Sequence, residues 1–77
     1  MIAIIDYGAG NVKSVENAVT KLGFQTSITS DFEEIRIAEK VIFPGVGEAS
    51  TAMEYLKQRN LDTLIPTLKQ PFLGICL

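Results

Sequence analysis

The chain has no histidine and a single cysteine among its 77 residues, and these two shortages set the first limits on its chemistry. One cysteine cannot form an internal disulfide, and one thiol without an imidazole makes no credible zinc site. Below ~80 residues a lone hydrophobic core seldom supplies more than ~3–5 kcal/mol. Stability must therefore come from packing, or from something outside the chain. No apolar run approaches the ~18 residues of a membrane span, and no basic segment precedes the opening "MIAIID". The cytoplasm is the expected compartment, which suits a free, reduced cysteine. Charge of one sign is also scarce: seven Lys and Arg stand against nine Asp and Glu, a net −2 with no stripe. Neither nucleic acid nor an anionic membrane finds an electrostatic footprint here.

What the chain does have is alternation, on an apolar share of 47% that is ordinary for a globular domain. Ile2 to Asp6 is an almost wholly apolar run, the pattern of a parallel strand covered on both faces. Gly8 and Gly10 end it. Val12, Val15, Ala18, Val19 and Leu22 then recur at helical spacing, with Asn11 as a cap and Gly23 where the helix should stop. "QTSITS" reads as a more polar strand near an edge, and Ser30 with Glu33 has the spacing of a capping box opening a short helical turn. Lys40 to Phe43 is a third strand, closed by Pro44 and Gly45. A helix follows with Ala49, Ala52, Met53 and Leu56 on one face. Leu61, Leu64, Ile65 and Leu68 extend the stripe, where Pro66 should bend it or mark a first turn. Phe72 to Cys76 reads as a fourth buried strand, with Pro71 tolerable at its start. This order predicts an α/β fold, an open parallel sheet with helices on both faces.

In such a sheet the chemistry collects at the carboxyl ends of the strands. Three stretches are expected on that rim: "DYGAGN", "PGVG" and "GIC". Cys76, two residues past Gly74 at a strand end, has the first half of a nucleophile elbow, and a helix beginning beyond it would favour the thiolate. On spacing alone the plainer reading is a small buried cysteine. The Gly45-Val46-Gly47 turn can present backbone N–H groups to a developing oxyanion, or it can simply end one element and open the next. Gly8-x-Gly10 lacks the third glycine of a dinucleotide fingerprint, since position 13 is lysine, and a tight turn capped by Asn11 explains most of it. Tyr7, taken as exposed on that loop, is a contact residue or has no function.

In combination and in this order, "DYGAGN" with Ser14, "FPGVG" and "PFLGIC" resemble the glutaminase subunit of imidazole glycerol phosphate synthase, a class I (triad-type) glutamine amidotransferase of histidine biosynthesis. The likeness covers essentially the whole chain. It implies the flavodoxin-like fold of that class, in an N-terminal part of about four strands. It implies that Cys76 is the nucleophile that attacks the side-chain amide of glutamine, releasing ammonia and leaving a glutamyl thioester for water to cleave to glutamate. The backbone N–H of Leu77, with that of Val46 once its peptide is turned suitably, would form the oxyanion hole, and Gly45 and Gly47 would line the glutamine site. The implied partner is a cyclase subunit with a (β/α)8 barrel in a heterodimer, making imidazole glycerol phosphate and aminoimidazole carboxamide ribotide. Asn11 and Ser14 would form part of that contact. No metal or organic cofactor is implied.

The family's His and Glu, and its strands beyond the elbow, have no counterpart in these residues. The expectation is that residues 1–77 are the N-terminal part of one glutamine amidotransferase type 1 domain, truncated at the nucleophile elbow and inactive alone. A sheet stopped at strand four should leave an unpaired edge and an apolar face on Phe72, Leu73 and Ile75, predicting self-association or dependence on a partner chain. Two other classes stay open: a non-catalytic interaction remnant that docks on the cyclase, and a flavodoxin-like phosphate or nucleotide binder using "GAGN" at a helix N-terminus.

Overall fold

In the computed structural model, which describes residues 1–7, 12–44 and 49–74 and only the backbone of 49–52, the first strand β1 (Ile2–Ile5) is buried along its whole length. Side chains alternate across a strand, so a run buried at every position must be covered on both faces. The sheet order is β2-β1-β3-β4, every pair parallel, with β2 at Thr26–Thr29, β3 at Lys40–Phe43 and β4 at Phe72–Gly74. Helices α1 (Val12–Lys21), α2 (Phe32–Ile37), α3 (Ala49–Gln58) and α4 (Leu61–Leu64) fill the intervals. A 3₁₀ turn at Ile65–Thr67 follows α4, and Pro66 lies in its first turn. This is the parallel α/β arrangement that the alternation predicts.

The two faces hold separate cores. Ile2, Ile4 and Ile42 lie under Val12, Val15 and Val19 of α1, together with Ile28. On the opposite side Ala3, Ile5, Tyr7 and Val41 pack with Ile35 of α2, Leu56 of α3, and Leu61 and Leu64 of α4. Each large aliphatic side chain fully buried in this way contributes ~1.5–3 kcal/mol of transfer free energy. Among the described residues no helix is long and apolar enough to cross a membrane.

Several local expectations change. Ala18 and Leu22 do not join the α1 stripe: Ala18 is exposed and Leu22 is 74% exposed. Val12, Val15 and Val19 form a stripe narrow enough to reach the sheet, while Leu22 lies beyond the helix in the turn that Gly23 closes at φ 94°. Met53, expected on the inner face of α3, is 48% exposed. The cap of α2 is Asp31 rather than Ser30: its carboxylate accepts from the Glu34 N–H at 3.0 Å. Thr29 supports that cap, its hydroxyl oxygen accepting the Asp31 N–H at 3.0 Å. An ionised side chain at the N-cap offers a stronger acceptor than a hydroxyl and suits the positive end of the helix, so the boundary shifts by one residue.

Strand β4 departs furthest from its reading as a buried strand. All three of its residues are exposed, Leu73 at 56%, because it forms the sheet edge opposite β2 and no described residue pairs with its outer side. What holds it is its inner edge and its approach. The Pro71 carbonyl accepts from the Val41 N–H at 3.0 Å, and the Gln70 amide donates to the carbonyls of Ile35, Arg36 and Ala38 at 3.2, 3.2 and 3.0 Å. Those are the C-terminal carbonyls of α2, which have no partner within the helix. One side chain thus caps α2 and fixes the path into β4.

Candidate active site

Parallel pairing sends β1, β3 and β4 out at the same end of the sheet. Ile4 is opposite Ile42, and Phe43 is opposite Gly74, so the chain leaves β3 and β4 at matching heights. From this end begin the segments in which the sequence places its chemistry. Gly45, Val46, Gly47, Asn11, Cys76 and Leu77 all lie outside the described residues. Ser14 lies in the first part of α1, with its side chain exposed.

The described end of the sheet is organised by Tyr7. It is not the exposed loop residue that the sequence suggested: only 2% of it is accessible. Residues 3, 5 and 7 share one face, and the ring continues that face past the end of β1 into the core beside Ile35 and Val41. It stacks on Phe43 with centroids 4.9 Å apart and planes 9° from parallel. Its hydroxyl donates to the carbonyl of Pro44 at 3.1 Å. Burial pushes the phenol above its ordinary pKa, which keeps it protonated and a donor at neutral pH. The signal was available in the alternation Ala3, Ile5, Tyr7, although nothing local indicates the partner 37 residues away.

Below this end a groove of about 400 Å³ runs between α3, α4 and β4, lined by Phe43, Met53, Leu56, Asp62, Ile65, Pro66, Phe72 and Gly74. Its walls are almost entirely apolar. An amino acid carrying an ammonium and a carboxylate needs polar partners for both, which this lining does not supply. The groove is the uncovered flank of an edge strand. Among the described residues no three His, Cys, Asp or Glu side chains gather closely enough to hold a metal ion.

A parallel sheet clad on both faces, with glycine-bearing segments leaving one rim and a cysteine just past the edge strand, is the layout of an α/β enzyme that works at its strand ends. The family model for Glutamine amidotransferase class-I matches residues 3–77, and the chain belongs to that family. It is similar to the imidazole glycerol phosphate synthase subunit HisH of Bacteroides fragilis strain YCH46, 54% identical over 76 residues, and to that of Photorhabdus laumondii, 50% identical over 76 residues. The HisH subunit of Colwellia psychrerythraea is 51% identical over 74 residues. These matches take in 99%, 99% and 96% of this chain but only 39%, 38% and 33% of the relatives. The chain spans about two fifths or less of the length of the curated relatives it matches.

Proposed function

We propose that residues 1–77 are the N-terminal part of a single glutamine amidotransferase domain, in the glutaminase subunit of imidazole glycerol phosphate synthase. The observation that carries this reading is the similarity of about half the residues, over nearly the whole chain, to subunits bearing that name. The whole protein hydrolyses glutamine to glutamate and ammonia. It passes the ammonia to a (β/α)8 cyclase subunit, which makes imidazole glycerol phosphate and aminoimidazole carboxamide ribotide in cytoplasmic histidine biosynthesis.

In this reading the thiolate of Cys76 attacks the amide carbon of the glutamine side chain. A C–S bond forms and the carbonyl π pair moves to oxygen; when that pair returns, the C–N bond breaks and ammonia leaves with a proton from the general acid. Water then cleaves the thioester, giving glutamate and restoring the thiol. The oxygen anion is met by the N–H groups of Leu77 and Val46, and the glycines on either side of Val46 let the substrate approach the main chain. Gly45 and Gly47 line the glutamine site. The proton transfers need an imidazole, and this chain contains no histidine. The family's His and Glu must come from residues beyond these 77, so the segment alone is inactive. Asn11 and Ser14 contribute to the contact with the cyclase, Ser14 from the exposed first part of α1.

The test is glutamine hydrolysis by the full-length subunit assembled with its cyclase, before and after Cys76→Ala. Steady glutamate release by the unmodified complex, falling at least ~10³-fold in the variant, is the expected result, because removing a covalent nucleophile removes the thioester route entirely. A variant that retains its glutaminase activity refutes the assignment of Cys76.

A further inference from the structure

We propose that Tyr7 is a positioning residue for the oxyanion segment, setting the peptide plane through which the chain enters Gly45-Val46-Gly47. The inference rests on the amidotransferase reading above, and the geometry beneath it is independent of that reading. The ring of Tyr7 is held on both sides of its plane by packing, stacked on Phe43 at 4.9 Å and almost inaccessible to solvent. A phenylalanine would satisfy that packing. The hydroxyl is the added feature, and a buried hydroxyl is costly unless it is bonded. Here it bonds a main-chain acceptor on another strand end, the Pro44 carbonyl at 3.1 Å.

The identity of the acceptor matters. The pyrrolidine ring of Pro44 already restricts φ to a narrow range near ~−65°. With the carbonyl held by Tyr7, ψ is restrained as well, and both soft torsions of that residue are fixed. Because the peptide group is planar, the constraint carries to the bond that joins Pro44 to Gly45. The next torsions free to turn belong to Gly45, the residue type with the widest choice of φ and ψ. Reorienting the Val46 N–H toward an oxyanion is thereby assigned to one glycine turning against a fixed anchor. The anchor is supplied from β1, directly before Gly8, so the position of the segment after β3 is referred to the strand leading into "DYGAGN". The hydroxyl touches neither the thiol nor the substrate, which makes the role positional rather than catalytic.

The test uses the full-length subunit with its cyclase and the substitution Tyr7→Phe, which keeps the ring and deletes the bond. The kcat for glutamine hydrolysis should fall about three- to tenfold, the equivalent of one hydrogen bond's net worth. KM for glutamine should stay within twofold. Alkylation of Cys76 by iodoacetamide, a direct displacement that forms no oxyanion, should keep its wild-type rate. A kcat within twofold of wild type overturns the proposal, as does a parallel fall in hydrolysis and alkylation, which marks general damage to the site. If Tyr7→Phe does not fold, Pro44→Ala removes the φ restraint instead and must show the same split between kcat and alkylation; an unchanged kcat there overturns the proposal too. An unmodified complex that never hydrolyses glutamine refutes the amidotransferase reading itself, an outcome distinct from any behaviour of the variants.

Discussion

Replacing Gln70 should reveal how firmly the approach to β4 is tied down. Its amide carries two protons, so its three contacts with the Ile35, Arg36 and Ala38 carbonyls amount to two full hydrogen bonds, shared. The Arg36 contact is exposed and competes with water. Two bonds at a net ~0.5–1.5 kcal/mol each, discounted for that exposure, put the cost of Gln70→Ala at about 1–2 kcal/mol. In urea unfolding of the full-length subunit this appears as a midpoint lowered by roughly 0.5–1 M, for a slope near 2 kcal/mol per molar. Gln70→Glu should be worse at pH 7, because it sets a carboxylate against carbonyl oxygens at the negative end of α2 and adds a further ~0.3–1 kcal/mol. The sign of its pH dependence follows. The carbonyls favour the protonated acid, so the introduced group's pKa in the native state lies above its unfolded value of ~4.3. In that window the native state binds more protons than the unfolded one, and stability falls as pH rises. The deficit of Gln70→Glu relative to Gln70→Ala should therefore shrink as pH drops from 7 toward 4. Midpoints for Gln70→Ala within 0.2 M of wild type (roughly a tenth of the assumed slope's range), or a glutamate variant no worse than the alanine at pH 7, would refute the capping argument.

Two further predictions concern the core and the open edge. Leu61 is wholly buried among Ile35, Leu56 and Leu64, and Leu61→Ala should cost ~2–5 kcal/mol in the same urea assay, with the exact value set by how far α4 collapses onto the sheet. A loss under ~1 kcal/mol would mean that α4 is not anchored by this side chain. The isolated segment 1–77 should self-associate through β4, whose Phe72 and Leu73 are 40% and 56% exposed beside free main-chain groups. Sedimentation velocity should show concentration-dependent growth that Leu73→Lys suppresses, and a monodisperse monomer across the range would contradict it.

Much of this arrangement was readable residue by residue. Ile2–Ile5 announced a doubly covered strand because every position was apolar, and Thr26–Thr29 announced an edge because it was not. Gly23 marked the end of α1 through its left-handed backbone, a local requirement. The α2 cap was misplaced by one residue because Ser30 and Asp31 both offer an oxygen at a suitable spacing, and only the surroundings, Thr29 included, choose between them. For the candidate site, the segments that carry its chemistry were legible as motifs, whereas Tyr7 was misread because a tyrosine beside two glycines looks like a loop residue.

The pattern of apolar and polar residues by itself determined that strands and helices alternate, where each begins to within a residue or two, and that the sheet is parallel. These follow from periods of 2 and 3.6 and from the covering that a doubly apolar strand requires. Tertiary structure alone decided that Tyr7 reaches Pro44 across 37 positions, that Gln70 caps a helix more than 30 residues earlier, and that β4 is an exposed edge. Such contacts have no local signature. They exist only once strand register has brought distant chain ends to the same height.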